Sequence, residues 1–133
     1  MDFNLAKDIQ EKIKKILQKV DFPHIKHKQV VCFRSVGSKS RAYARIWSLP
    51  RIWQKALKVK PHYCIEVLSE KFDRLDEERK TKVLIHELLH IPKTFSGAIL
   101  PHRGRGRVGV DARAVNKVFR EYKTKNKKQK AHT

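Results

Sequence analysis

Residues 76–92, DEERKTKVLIHELLHIP, are the stretch that decides the fold. Asp76 stands at a favourable N-cap position, and the two glutamates after it complement the positive end of a helix dipole. Apolar residues then recur at helical spacing on more than one side, which is typical of a largely buried helix. Pro92 cannot continue a helix. The stretch therefore predicts a buried helix from Asp76 to about Ile91.

Within this helix, His86, Glu87 and His90 form the pattern HExxH. Positions i and i+4 project from one helix face, so two imidazoles can converge on one ion. Glu87 lies near the same face and is placed to contact a water on the ion rather than the ion itself. Metal ligation would also satisfy the two imidazoles, which are costly to bury unpaired. We predict a zinc site with Glu87 as its catalytic carboxylate.

A catalytic zinc ion needs a third protein ligand and one open position. His102 is the best candidate, because it follows His90 across a loop with proline and glycine that can fold back. Asp111 is the alternative ligand, although it fits a helix cap better. The shorter spacing HExxHxxGxxH is absent, since position 96 is serine. The expected cofactor is one zinc ion per chain, bound by His86, His90 and His102.

The rest of the chain predicts an α+β domain, because a helix, several strands and two further helices follow one another. We expect the strand over 29–36 to pair with the strand over 41–49. The domain should span residues 1–122, and the lysine-rich residues 123–133 should be disordered. In chain order, the other predicted elements are an amphipathic helix over 4–20, strands over 29–36 and 41–49, a short helix beginning at Pro50, a strand over 62–68, and a helix from about Asp111 to Tyr122.

Composition narrows the class of protein. A chain of 133 residues suits one domain, and no apolar stretch approaches the roughly 20 residues of a membrane helix. The first residues, MDFNLAKDIQEKIKK, do not resemble a secretory signal, because acidic residues occur at once. Cys32 and Cys64 lie in apolar runs and are expected to be free, buried thiols. We expect a cytoplasmic protein that does not bind membranes.

The net charge of +19 is extreme for this length and favours polyanionic partners. Residues 22–65 hold ten lysines and arginines and no acidic residue. Non-specific DNA or RNA is therefore a candidate partner, with a merely solvated basic surface as the alternative. Core packing is the expected role of Trp47 and Trp53, and stacking on single strands is the alternative. The candidate nucleic-acid-binding residues are Arg34, Lys39, Arg41, Arg45, Arg103, Arg105 and Arg107.

The sequence also resembles a known family. The segments IWSLPRIWQKAL (46–57) and PHYCIEVLSEKFDRLDEERKTKVLIHELLHIPKTFSGAILPHRG (61–104) are similar to small zinc metallopeptidases of archaea and phages. More broadly, they resemble the SprT-like branch of the zincins, although the zinc-ribbon cysteines of that branch are absent. The resemblance implies a zincin-like fold, with a small twisted sheet, an N-terminal helix, an HExxH helix and a C-terminal backing helix. It also implies His86, His90 and His102 as ligands and Glu87 as general base. SprT-like proteases act on DNA-bound proteins, which matches the charge.

These features predict a metallopeptidase that hydrolyses peptide bonds with a zinc-activated water and Glu87 as general base. Its partner would be a protein or peptide substrate, including proteins associated with nucleic acid. Arg103, Tyr63 and Tyr122 are unranked candidates for stabilising the oxyanion. A zinc-dependent nuclease is one alternative, although Glu87 favours peptide hydrolysis. A nucleic-acid-binding module with a structural zinc is another, although such sites are usually closed by four ligands.

Overall fold

The computed structural model describes residues 2–102 and 109–131 of the chain. The helices and strands in these ranges are, in chain order, β1 (Asp2–Leu5), α1 (Lys7–Lys19), a 3-10 turn (His27–Gln29), β2 (Val30–Val36), β3 (Ala44–Ser48), α2 (Arg51–Leu57), β4 (Tyr63–Leu68), α3 (Ser69–Phe72), α4 (Glu77–Leu89) and α5 (Ala112–Ala131).

The four strands form one mixed sheet in the order β1-β2-β4-β3. β2 and β4 run parallel at its centre, while β1 and β3 are antiparallel edge strands. The predicted pairing of residues 29–36 with 41–49 is wrong, because β4 lies between these strands. β4 (YCIEVL) is buried along nearly its whole length and takes the central place, as is usual for a parallel strand. β3 carries the charged Arg45, which an edge strand tolerates well.

The first predicted helix is divided in the structure. Residues 2–5 form the edge strand β1, and α1 begins only at Lys7. Leu5 therefore does not share the buried face of α1, and 68% of it is exposed. Ile9, Ile13 and Ile16 do form that face, as their spacing predicts, and none is more than 1% exposed.

The α+β prediction is confirmed, with α1 and α4 packed on one face of the sheet and α5 packed against both helices. Ile13 of α1, Ile65 of β4, and Leu84 and Leu88 of α4 are all fully buried in the resulting core. Complete burial of such side chains stabilises a fold by roughly 1.5–3 kcal/mol each. This packing fixes α4 against the sheet and so determines where its histidines point.

The C-terminal helix is longer than predicted. Its N-cap is Asp111, whose carboxylate accepts a hydrogen bond of 2.8 Å from the Ala114 N–H. α5 then continues past Tyr122 to Ala131 and covers most of the segment expected to be disordered. This corrects the predicted helix end. Lysine, glutamine and alanine have good helix propensity, and each residue added to an existing helix gains a hydrogen bond.

Three further expectations concern the core and the surface. The two cysteines are free, with Cys32 buried and Cys64 half-buried. Trp47 and Trp53 are 50% and 55% exposed, so their expected role in core packing is wrong. None of the helices in the described ranges has the length and apolar character that crossing a membrane requires.

Candidate metal centre

α4 and its C-cap residue provide the first two histidines of the site, His86 and His90. The helix begins as predicted, because the Asp76 carboxylate accepts a hydrogen bond of 2.8 Å from the Arg79 N–H. Leu84, Ile85 and Leu88 are completely buried beneath it. With both its start and its buried face fixed, α4 presents His86 and His90 one turn apart on one side.

The third histidine comes from the segment after α4. His102 forms an isolated parallel β-bridge with Val110, which precedes α5. Its Nε2 lies 2.9 Å from His86 Nε2, and His90 Nε2 lies 3.2 Å from His86 Nε2. Ligand nitrogens around a tetrahedral zinc ion, at about 2.0–2.1 Å from it, are about 3.3 Å apart. The three Nε2 atoms therefore fit a single metal ion, and the prediction that these histidines come together is confirmed.

Hydrogen bonds to the backbone of Leu100 fix the orientation of His90. His90 Nδ1 donates to the Leu100 carbonyl oxygen, which can only accept. The proton is therefore on Nδ1, and the Nε2 lone pair is free to bind a metal. In return, the Leu100 N–H donates to the His90 carbonyl oxygen over 2.7 Å. His90 and the segment that leads to His102 are thus joined directly by hydrogen bonds.

The loop between His90 and His102 is also tied to the body of the domain. The Tyr63 hydroxyl donates to the Ala98 carbonyl oxygen (2.8 Å) and accepts from the Gly97 N–H (2.9 Å). Gln54 Nε2 donates to the carbonyl oxygens of Ser96 (2.9 Å) and Leu49 (2.8 Å). These contacts bring a loop with no regular structure back towards α4. Gln54 was not predicted to take part, and Tyr63 was predicted only as a candidate for stabilising the oxyanion.

Gly97 is required at the centre of this loop. Its φ of 99° lies in the region that L side chains rarely adopt. A Cβ there would come within 2.5 Å of Gln54 Nε2 and 2.6 Å of the Leu49 carbonyl oxygen. A glycine in this loop indicates that another part of the chain packs closely against its backbone. The sequence alone does not predict that Gln54 and Leu49 are the residues that do so.

Burial changes the protonation of the site. It lowers the pKa of His86 to about 4, with help from the neighbouring histidines, and it also lowers the pKa of His90. Both imidazoles are therefore neutral at pH 7, as metal binding requires. Burial raises the pKa of Glu87 to about 7. A carboxyl group with such a pKa can both take up and release a proton near neutral pH.

A cleft of about 440 Å³ opens beside these groups. His86, Glu87 and His102 contribute to one part of its wall. Apolar side chains provide much of the rest, including Ala44 at the start of β3 and Val115 of α5. Glu87 is only 6% exposed, yet it borders this cleft. A molecule in the cleft would therefore contact His86, His102 and the buried carboxyl group.

Comparison with protein families identifies the chain. A family model described as "Putative phage metallopeptidase" matches residues 1–131. The chain belongs to this phage metallopeptidase family. Searches of curated proteins and of solved structures gave no match. Family membership makes the protein a hydrolase, and the three histidines suit the metal ion that such a hydrolase uses.

Three other candidates for the metallopeptidase site take different roles. Asp111, the alternative ligand, caps α5. The Tyr63 hydroxyl uses its proton to bind Ala98, so it is not a free donor for an oxyanion. Tyr122 packs against Lys19, and burial raises its pKa with a further contribution from the Glu77 carboxylate. Glu77 precedes His86 by nine residues, or about 13 Å of helix. Tyr122 is therefore near the opposite end of α4 from the histidines.

The seven candidate nucleic-acid-binding residues fall into three groups. Arg34 is held between two carboxylates, with hydrogen bonds of 2.9–3.1 Å to Asp8 and Asp73. Lys39 and Arg41 are exposed between β2 and β3, and Arg45 donates to the Ser38 hydroxyl. Three candidates lie outside the described residues, namely Arg103, Arg105 and Arg107.

Proposed function

We propose that this metallopeptidase uses one zinc ion, held by His86, His90 and His102, to hydrolyse peptide bonds. The observation that carries the proposal is the convergence of three Nε2 atoms at a cleft that Glu87 also borders. Three imidazoles suit zinc and leave a fourth position for water or substrate. A purely structural site would be closed by four protein ligands. The resemblance to SprT-like zincins supports the same assignment.

The chemistry divides between the ion and the buried carboxylate. When bound, zinc would lower the pKa of a coordinated water to about 7 and polarise the substrate carbonyl. Glu87 would accept the proton of the attacking water and pass it to the leaving amine. Its burial supports this role, because the raised pKa leaves the carboxyl able to exchange a proton at neutral pH.

The position of β3 supports an extended peptide as the substrate. β3 is an edge strand of the sheet, and Ala44 at its start borders the cleft that holds His86 and Glu87. Extended peptides bind exposed strand edges through backbone hydrogen bonds, while pockets select alternate side chains. The apolar lining around Ala44 and Val115 would favour an apolar side chain next to the cleaved bond.

We further propose that the protein contacts nucleic acid without sequence preference and cleaves proteins associated with it. The net charge of +19 and the acid-free stretch 22–65 support this contact. Lys39 and Arg41 are exposed and make no ion pair with any residue in the described ranges. Arg34 is a weaker candidate, since two carboxylates already bind it. Arg103, Arg105 and Arg107 remain part of the proposed surface.

Two assays test these proposals separately. In the first, the zinc-loaded protein is incubated with a peptide library, and mass spectrometry should find cleaved products that a chelator abolishes. Cleavage of RNA or DNA without peptide cleavage would instead favour the zinc-dependent nuclease. In the second, gel shifts at about 50 mM salt should show complexes whose affinity falls steeply as salt rises. If no complex forms, the positive charge only marks a solvated basic surface. The peptidase proposal would not be affected by that result.

A further inference from the structure

The sheet has an apolar face on the side away from α1 and α4. Side chains alternate along each strand, so the residues flanking the core positions Val30, Ile65 and Ile46 point to this second face. A sheet face that meets water normally carries polar residues. On this second face, most positions of the four strands are apolar. They include Phe3, Leu5, Val31, Phe33, Trp47 and Cys64.

This face is open in the described part of the chain. Phe3 and Trp47 are each 50% exposed and Leu5 is 68% exposed. A pocket of about 340 Å³ lies among these side chains, lined by Phe3, Phe33, Trp47, Cys64 and Glu66. Three aromatic rings from three strands therefore surround one shallow, open cavity.

A buried carboxylate holds the largest of these rings in place. Trp47 Nε1 donates to Glu66 Oε1 over 2.9 Å, and the Ser35 hydroxyl donates to Glu66 Oε2 over 2.6 Å. Glu66 is only 1% exposed, so both bonds are shielded from water. The Trp47 ring is thus fixed along one edge while half of its surface is free. A ring held in this way loses little conformational entropy when a flat partner stacks on it.

Cationic residues lie beside the aromatic rings. Arg45 is two residues from Trp47 on β3 and points to the same face. Its guanidinium reaches the Ser38 hydroxyl in the loop between β2 and β3, where Lys39 and Arg41 are exposed. Among the described residues, none of these three cations forms an ion pair. Arg45, Lys39 and Arg41 thus form a cationic rim that can attract phosphates. The aromatic rings beside this rim offer stacking surfaces.

We propose that this face binds single-stranded nucleic acid, with unpaired bases stacked on Trp47, Phe3 and Phe33. Phosphates would contact the cationic rim, away from the carboxylate of Glu66. Stacking on aromatic rings tolerates any base, which fits a surface with few polar groups for reading base edges. The inference rests on the proposed contact with nucleic acid and names its site. The metal centre takes no part, because Ala44 faces the catalytic cleft while Trp47 faces the other side of the sheet.

The two tryptophans offer a matched test, since the chain has no others. Trp53→Phe leaves Trp47 as the sole tryptophan, and Trp47→Phe leaves the similarly exposed Trp53 of α2. Each variant is titrated with oligo(dT) and oligo(U) at low salt. The emission of Trp47 should be quenched on binding by both oligonucleotides, and that of Trp53 should not. Trp53→Phe should retain zinc and peptidase activity.

A second variant measures the contribution of stacking. Phe3→Ala removes a half-exposed ring without breaking a hydrogen bond of Glu66, and it should weaken oligo(dT) binding about 5- to 150-fold. Its affinity for duplex DNA should change little, because paired bases are not available to stack. Equal quenching of both tryptophans, or unchanged affinity in Phe3→Ala, would overturn the inference while leaving the non-specific contact with nucleic acid intact. A dimer in solution that Phe3→Ala dissociates would also overturn it and assign the face to self-association.

Discussion

Leu100 is hydrogen-bonded to His90 through both of its backbone polar groups. Its carbonyl oxygen accepts from His90 Nδ1, and its N–H donates to the His90 carbonyl oxygen over 2.7 Å. The first bond selects the tautomer whose Nε2 faces His86 and His102. The second bond fixes the chain two residues before His102. A single residue's backbone therefore orients one histidine of the candidate metal centre and helps to position another.

The first prediction concerns the ligand set. The wild-type protein should carry about one zinc ion per chain, and His86→Ala, His90→Ala and His102→Ala should each lose it, because the proposed site needs all three imidazoles. Elemental analysis of protein purified without added metal measures this loss. His62→Ala is the control, since His62 bonds to the Lys60 carbonyl oxygen away from the site. Full zinc retention in His102→Ala would remove His102 from the ligand set.

The second prediction concerns the loop that carries His102. Tyr63→Phe removes the hydroxyl that binds Gly97 and Ala98, leaving a backbone N–H without its acceptor. The free energy of unfolding should fall by about 1–3 kcal/mol. The affinity for zinc should also fall, because the loop no longer holds His102 in place. Denaturant unfolding and a competition assay with a chelating dye measure the two effects.

A matched variant separates the loop from general stability. Tyr122→Phe removes a hydroxyl from another half-buried tyrosine on α5, which packs near Lys19 rather than near the loop. It should leave the affinity for zinc unchanged. If Tyr63→Phe lost stability but bound zinc as tightly as the wild type, the loop contacts would support the fold alone.

Much of the candidate metal centre can be predicted from sequence, because the placement of His86 and His90 depends only on local geometry. The spacing of His86 and His90, the cap at Asp76 and the proline at position 92 are all encoded in one short stretch of sequence. His102 lies beside these residues, as predicted, but its bridge to Val110 was not foreseen. The hydroxyl of Tyr63 shows the limit, because its partners lie more than 30 residues away.

The sheet was harder to predict than the helices. β1 spans only Asp2–Leu5, which is too short for a periodic pattern to separate it from the helix that follows. The order of β2, β4 and β3 depends on which strand is buried on both faces, a property of the whole domain. The half-exposed Trp47 was assigned to the core for the same reason, since side-chain alternation shows two faces but not which one the helices cover.

The third prediction concerns stability in acid. The hydrogen bond from Arg34 lowers the pKa of Asp8. At Asp73, partial burial raises the pKa, but the hydrogen bonds from Arg34 and Ser69 outweigh it and the net shift is downward. Folded-state values below the unfolded value of about 3.9 mean that the carboxylates stabilise the fold above that pH. This contribution is lost as the pH falls through the lowered values.

Arg34→Gln tests this relationship. At pH 7 the variant should be less stable than the wild type, by about 1 kcal/mol or less for each exposed pair. The difference should shrink below pH 4, as Asp8 and Asp73 take up protons in both proteins. Thermal unfolding across this range measures it, with Arg45→Gln as a control that removes a cation without an ion pair among the described residues. A constant difference down to pH 2 would contradict the role assigned to the carboxylates.

The most direct test of the central proposal is the peptidase activity of Glu87→Gln, measured on the zinc-loaded protein. Glutamine has the shape of glutamate but cannot accept the proton of the attacking water, and its neutral amide suits a position that is 6% exposed. The variant should bind zinc and unfold like the wild type, while peptide cleavage falls by about two orders of magnitude or more. Wild-type cleavage by zinc-loaded Glu87→Gln would contradict the proposed mechanism.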